Sequence, residues 1–294
     1  MIHPTMHQRC IQYVLSLILV AGCLISGRGQ YATYQPQAEL GIGIGSSHYF
    51  GDLNPGGSLK PVNYSAGVFY QRYFGNYIGA RLSASYLHLA ASDADNKSAA
   101  YHNRGLDFSN NIWELTLTGS FNFFRYAPGI SGHNFTPYVG LGIGGIYTNP
   151  YTQDDQGQKV SLRKLGTEGQ NSSTPHDGKK YGSLAVIFPL SVGVRQALSE
   201  KLNIFAEATY RLTRTDYLDD VSTTYAGVEA FDPSNYKGGT EQASQALVLQ
   251  DRNLDGIARP KGWQRGNSLA SDRYLSFQVG ISFNFGSCNC PMVY

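Results

Sequence analysis

The sequence predicts an all-β fold: an eight-stranded antiparallel transmembrane barrel of the outer-membrane kind, with short periplasmic turns and long extracellular loops. Three observations predict it. Eight segments alternate apolar and polar residues with a period of two, joined by connections that are short and long in turn. Glycine (34), Tyr (21) and Phe (14) are abundant while only 15% of the residues are charged, a balance unlike that of a soluble enzyme. The polar face of most segments holds glycines, hydroxyls and charges, which leaves the apolar face to meet lipid. A net charge of +2 excludes a polybasic nucleic-acid binder, so no nucleic acid is expected as partner. A mean hydropathy of −0.27 excludes a bundle of apolar helices.

The chain divides into a leader (residues 1–29), a barrel domain (residues 30–286) and a periplasmic C-terminal tail (residues 287–294). Arg9 precedes an apolar run from Ile11 to Ile25 that is too short and too interrupted to span a bilayer, as in a signal peptide. Two cleavage patterns fit: the small residues 26–29, or a lipoprotein-type site that would leave Cys23 acylated at the new N-terminus. Removing residues 1–29 takes away Arg9 and Arg28 and no acid, which balances the charges. Cys288 and Cys290 remain in an exported, oxidising setting. Their spacing is too tight for most structural zinc sites, which leaves a tail pair, free or bridged.

The first strand, Ala38–Tyr49, sets Leu40, Ile42 and Ile44 against Glu39 and three glycines. The second covers Val62–Tyr73, with Val62, Tyr64, Ala66, Val68 and Tyr70 apolar, and the third, Tyr77–Leu89, opposes Ile78, Leu82 and Tyr86 to Arg81 and serines. In the fourth, Asn111–Phe123, Trp113, Leu115, Leu117 and Phe121 alternate with Glu114, Thr116, Thr118 and Ser120. The fifth, Phe135–Tyr147, alternates Val139, Leu141 and Ile143 with glycines. The sixth is Leu184–Gln196 and the seventh Leu202–Thr213. The last, Arg273–Phe285, alternates Leu275, Phe277, Val279, Ile281 and Phe283 with polar residues and Gly280. No helical stretch is expected between them. The short connections fall near Gly75, Pro128 and Ser199, while the others grow from about 12 to about 59 residues. An even strand count puts both ends of the barrel on the short-turn side. Tyr70, Tyr73, Phe74, Tyr77, Phe121, Phe123, Phe135 and Phe285 then form a periplasmic girdle, and Tyr49, Tyr86, Tyr147, Tyr210 and Tyr274 an outer one.

Eight strands enclose a space that side chains can fill. The inward set includes Glu39, Glu114 and Glu207 with Arg81, Arg195 and Arg211, three acids for three arginines, which reads as a plugging ion-pair network. The competing reading is a proton or ion path. Catalysis is not expected: the histidines scatter over loops and strand ends, and the Gly-x-Gly-x-x-Gly matches lie inside strands with no helix after them. No cofactor is implied. Asp251, Asn253 and Asp255, followed by Gly256, reproduce the first half of a calcium loop. Gly262 stands where the closing Glu would be, so a polar turn is the competing reading. Asp216, Asp219 and Asp220 either gather a cation or pair locally with Arg211 and Arg214.

Three strings go beyond barrel patterning: Gly43 to Asn54; Leu165 to Gln170, with Gly166 and Glu168; and Thr215 to Tyr225, with Asp216, Tyr217, Asp219 and Asp220. Together they resemble the PorG-like outer-membrane barrel family of the Bacteroidota, linked to the type IX secretion system that also serves gliding motility. The likeness runs over residues of roughly 37 to 285, and Phe124 with the turn that follows also suits this family. The resemblance implies a non-enzymatic role in protein export, in contact with outer-membrane lipid and with periplasmic ring proteins of that system. The tail through Cys288, Cys290 and Tyr294 departs from a barrel that stops at its terminal aromatic, and it is expected to help dock the ring. The alternatives are a general structural barrel, an adhesin that binds ligands through its long loops, or a narrow pore.

Overall fold

The computed structural model describes residues 38–285 except residues 97 and 155. The leader, Cys23, the tail and its two cysteines lie outside the described residues. Within them run β1 (Ala38–Phe50), β2 (Asn63–Tyr73), β3 (Ile78–Ser92), β4 (Asp107–Asn122) and β5 (Phe135–Tyr147). A small hairpin follows, β6 (Tyr151–Gln153) and β7 (Lys159–Ser161). The chain then returns as β8 (Leu184–Ala197), β9 (Leu202–Thr213) and β10 (Arg273–Phe285).

The eight long strands pair antiparallel in the order β3-β2-β1-β10-β9-β8-β5-β4, and β3 pairs with β4 to close the barrel. Closure leaves no unpaired long edge, which is the condition for a sheet to exist in hydrocarbon. Ala38 stands opposite both Phe285 and Arg72, so the two barrel ends lie on the side of the short turns, residues 74–77, 123–134 and 198–201. Outward side chains form an apolar belt: Leu40, Ile42 and Ile44 on β1, Leu115 and Leu117 on β4, Leu141 and Ile143 on β5, Val279 and Ile281 on β10 are all exposed. Such a belt is stable only against lipid, and the chain is a transmembrane barrel of outer-membrane type. No described helix is long and apolar enough to cross a membrane; this barrel crosses with strands.

Inward glycines are required by close packing. A Cβ at Gly41 would lie 2.4 Å from the Phe69 ring, and one at Gly193 would lie 2.6 Å from Tyr138. The lumen is therefore partly aromatic. Tyr73 and Tyr274, assigned to the girdles from sequence, point inward instead and are buried, as is Tyr49. Their hydroxyls satisfy buried carboxylates there, a better use of a Tyr than a half-wet ring.

β1 and β8 run one residue past their expected ends, and β3 and β4 run further. β3 continues to Ser92 and β4 begins at Asp107 because the pattern inverts above the belt. There the inward residues, Leu87, Leu89, Ala91, Phe108 and Ile112, are apolar and buried. They join Leu106, Ile146, Leu162, Ile187, Leu218, Phe231 and Leu249 in a hydrophobic core at the long-loop end of the barrel. The loops thus fold into a cap. They also contain helices, contrary to the sequence expectation: α1 (Ala99–Arg104), α2 (Leu162–Leu165) and α3 (Gly239–Gln250). On α3 the buried Ala243, Ala246 and Leu249 belong to that core.

Candidate functional site: a plugged lumen beneath a folded cap

The six inward charges meet as three pairs. Arg81 Nη1 lies 2.6 Å from Glu207 Oε2, Arg211 Nε lies 3.1 Å from Glu114 Oε2, and Arg195 Nε lies 3.5 Å from Glu39 Oε1. Adjacent strands supply the frame and polar side chains complete it. Gln71 Oε1 accepts from Arg81 Nε at 2.9 Å and from Arg195 Nη2 at 3.1 Å, which joins two of the pairs. Tyr138 donates to Glu207 at 2.8 Å and Tyr274 to Glu114 at 2.6 Å. Glu39 takes hydrogen bonds from Tyr73 and Ser282. The Arg195 guanidinium also sits 4.8 Å from the centre of the Tyr138 ring. The cavity that remains between Arg81, Glu114, Glu207 and Arg211 measures about 30 Å³, room for one or two waters. Arg81 Nη2 and Arg195 Nε are left without a hydrogen-bond partner, yet every charge is paired, and buried paired charges packed this closely fill a lumen rather than form a wide path.

Above them, the three strings singled out in the sequence converge. Glu168, fully buried, accepts at Oε1 from the amides of Ser222 (2.8 Å) and Thr223 (3.0 Å) and from Arg265 Nη1 (3.2 Å). Its Oε2 accepts from Thr223 Oγ1 at 2.7 Å and from the Tyr217 hydroxyl at 3.2 Å. Gly166 caps α2 in the left-handed region, φ 71°, which lets residues 167–170 turn back toward this hub. Asp216 accepts from Ser222 Oγ at 2.6 Å, and the Tyr217 ring stacks on Tyr181 with centroids 4.3 Å apart. Asp220, also left-handed at φ 65°, is held by Thr167 and Tyr181. Asp219 and Asp272 both face the Tyr49 hydroxyl, at 2.6 and 2.7 Å. These acids do not pair with Arg211 or Arg214; Arg211 is committed to Glu114.

Two residues that carry no sequence signal bind the loops together. Arg265 donates to the carbonyls of Gln250 and Asp220 as well as to Glu168. Arg104 holds Asp93 through Nε and Nη2, both at 2.7 Å, and reaches the carbonyls of Arg265 and Asp52. Nothing in the local patterning marks either arginine, because each acts on segments far away in the chain.

Burial dominates the titration of the cap. It pushes the Asp216 carboxyl up to about 7, helped by Asp52 and Glu168, and Asp220 up to about 6 against the pull of Arg265. Asp219 and Asp272 lie well above the usual carboxylate range, first through burial and then through neighbouring acids. Burial also raises Asp52.

The calcium-like string forms local turns instead of a cage. Asp251 accepts from the Asn253 side-chain amide and, at 2.7 Å, from the Arg259 backbone amide, while Asp255 pairs with Arg259 at 2.7 Å. Among the described residues no group of three or more His, Cys, Asp or Glu side chains is placed to hold a metal ion. A Ser–His contact exists, Ser46 Oγ to His48 Nε2 at 3.0 Å, but His48 Nδ1 has no partner and no acid orients the ring.

The chain is similar to three solved outer-membrane or surface proteins. Ail, the attachment invasion locus protein of Yersinia pestis, is 12% identical with a TM-score of 0.38, over 84% of this chain and 97% of Ail. Neisserial surface protein A is 9% identical with a TM-score of 0.40, over 85% and 97%. OprG, an outer-membrane protein of Pseudomonas aeruginosa, is 11% identical with a TM-score of 0.36, over 87% and 99%. No curated protein matches the sequence. A family model described as a domain of unknown function, DUF6089, matches residues 17–237, from before β1 through the loop that leaves β9, and the chain belongs to that family.

Proposed function

We propose that this protein is a non-enzymatic, closed outer-membrane barrel that serves as an accessory structural component of type IX protein secretion. One observation carries the reading. The strings that resemble the PorG-like family are the segments that meet in the cap, where Tyr49 is bonded to Asp219, and Glu168 to Tyr217, Ser222 and Thr223. A shared sequence pattern that builds one tertiary feature supports a shared role better than scattered matches do. In this proposal residues 1–29 direct export, and the tail, residues 287–294, docks on periplasmic ring proteins. The test is a deletion strain together with mild crosslinking in the native membrane. Loss of secreted cargo and recovery of ring proteins with the barrel are expected; normal secretion with no ring protein recovered rejects the role.

A second reading draws on the outer surface of the cap, where Leu254, Ile257, Trp263 and Leu269 are exposed. Apolar side chains exposed on a loop surface suit a surface ligand. Normal secretion with altered adhesion in the same strain would favour this alternative. The narrow-pore alternative is disfavoured by the packed lumen.

A further inference from the structure

We propose that the outer rim of β9, β10 and β1 carries a binding site for the phosphate group of an outer-leaflet lipid. A cleft of about 410 Å³ opens there, lined by Phe50, Asp52, Tyr210, Asn267 and Arg273 among others. Strand register places it on the lipid-facing side. Arg273 stands opposite Leu212 on β9 and Phe50 on β1, and one step down Leu275 stands between Tyr210 and His48. Below that, Phe277 is flanked by Ala208 and Ser46. The Phe50 and Tyr210 rings lie 6.4 Å apart at the depth where aromatic side chains meet headgroups. Beneath them Leu275, Phe277 and the small Ala208 continue as a surface along which an acyl chain can lie.

Charge identifies the occupant. Arg273 and Arg214, which directly follows β9, are both exposed. Neither guanidinium makes a hydrogen bond or ion pair among the described residues. Other arginines at this end of the molecule are committed: Arg104 to Asp93, Arg252 to Asp107, Arg259 to Asp255 and Arg265 to Glu168. Asp52, the one acid in the cleft, accepts instead from the Asn267 amide at 2.9 Å. Two unpaired guanidiniums at the edge of a hydrocarbon belt extend toward the headgroup layer, and a phosphate gives them bidentate, charge-assisted partners. Each arginine is expected to add about fivefold to the preference for an anionic lipid.

Full-length protein in phosphatidylcholine vesicles, probed with spin-labelled phosphatidic acid and spin-labelled phosphatidylcholine, reads this preference as a ratio of association constants. The wild type, with both arginines, should favour phosphatidic acid on the order of 25-fold. Arg273→Gln should lose about fivefold of that, Arg214→Gln/Arg273→Gln should bring the ratio close to one, and Arg273→Lys should keep part of it. Heat-dependent gel mobility checks folding; if the double variant does not fold, the two single variants carry the test. Three results overturn the proposal. The folded double variant could retain the full preference. Arg72→Gln, at the opposite rim, could lower it by as much as Arg273→Gln does, which would indicate general charge. Millimolar inorganic phosphate could abolish it, which would indicate a free-anion site.

Discussion

Tyr49 has one hydroxyl proton and two carboxyl neighbours, Asp219 at 2.6 Å and Asp272 at 2.7 Å. It can donate to only one of them. The other contact needs a second proton, on an acid, and burial holds both acids toward their neutral forms. Asp52, Asp216 and Arg104 are the other charged groups acting on this pair. In the unfolded chain these carboxyls titrate near ~3.9. The folded cap binds its protons more tightly, so its stability is fullest below that pH and declines as pH rises through the folded values. Asp220 at about 6 and Asp216 at about 7 extend the decline toward neutrality. Hydrogen-exchange protection of residues 215–225 should therefore fall between pH 4 and pH 7. Asp219→Asn, whose amide can donate to the Tyr49 oxygen without an extra proton, should flatten the slope; an unchanged slope contradicts the shared proton. Asp219 stood out in the sequence. Tyr49 was assigned to the girdle and Asp272 went unmarked, because only packing reveals that the two share a hydroxyl.

At the scale of the strand, alternation and glycine placement carry most of the information. Gly41 lies on the inward face of β1, where an added Cβ would meet the Phe69 ring at 2.4 Å and Ser282 Cβ at 3.0 Å. Both contacts are to side chains. Gly41→Ala should thus destabilise the barrel by about 1–3 kcal/mol through overpacking. Phe69→Leu in the same chain should recover part of the loss. The midpoint of urea unfolding, followed by heat-dependent gel mobility, measures both variants, and additive losses would show that the ring is not what Ala meets. The strands Phe135–Tyr147, Leu202–Thr213 and Arg273–Phe285 could be delimited from sequence because nearly all of their length alternates, with only Ile146 and Tyr274 reaching the cap core. β3 and β4 could not, since above the belt Leu89, Ala91 and Phe108 turn inward to the cap core. The helix Gly239–Gln250 was hidden for a related reason: its apolar face is short and is defined by the loops it covers.

For the whole molecule, three interior ion pairs and a cap over the outer end make the barrel closed. The residual lumen cavity of about 30 Å³ does not admit a hydrated ion stream. Purified protein in planar bilayers should give no steady conductance, and neither should Glu207→Gln, since Tyr138, Gln71 and Arg81 still occupy the same space. Regular open channels in the wild type would contradict the plugged lumen. Period-two alternation, with low charge and excess glycine and aromatics, determined from sequence alone that the chain is a lipid-facing barrel, that eight long strands build it and that Glu39, Arg81, Glu114, Arg195, Glu207 and Arg211 face inward. That much is local: a strand's two faces are set by its own alternation, whatever its neighbours are. Tertiary structure alone decided which Glu meets which Arg, that Tyr49, Tyr73 and Tyr274 serve the interior, and that the long loops condense around Glu168, Arg104 and Arg265. Those contacts join residues far apart in the chain, and their energy exists only once closure of the barrel has brought the loops to one end.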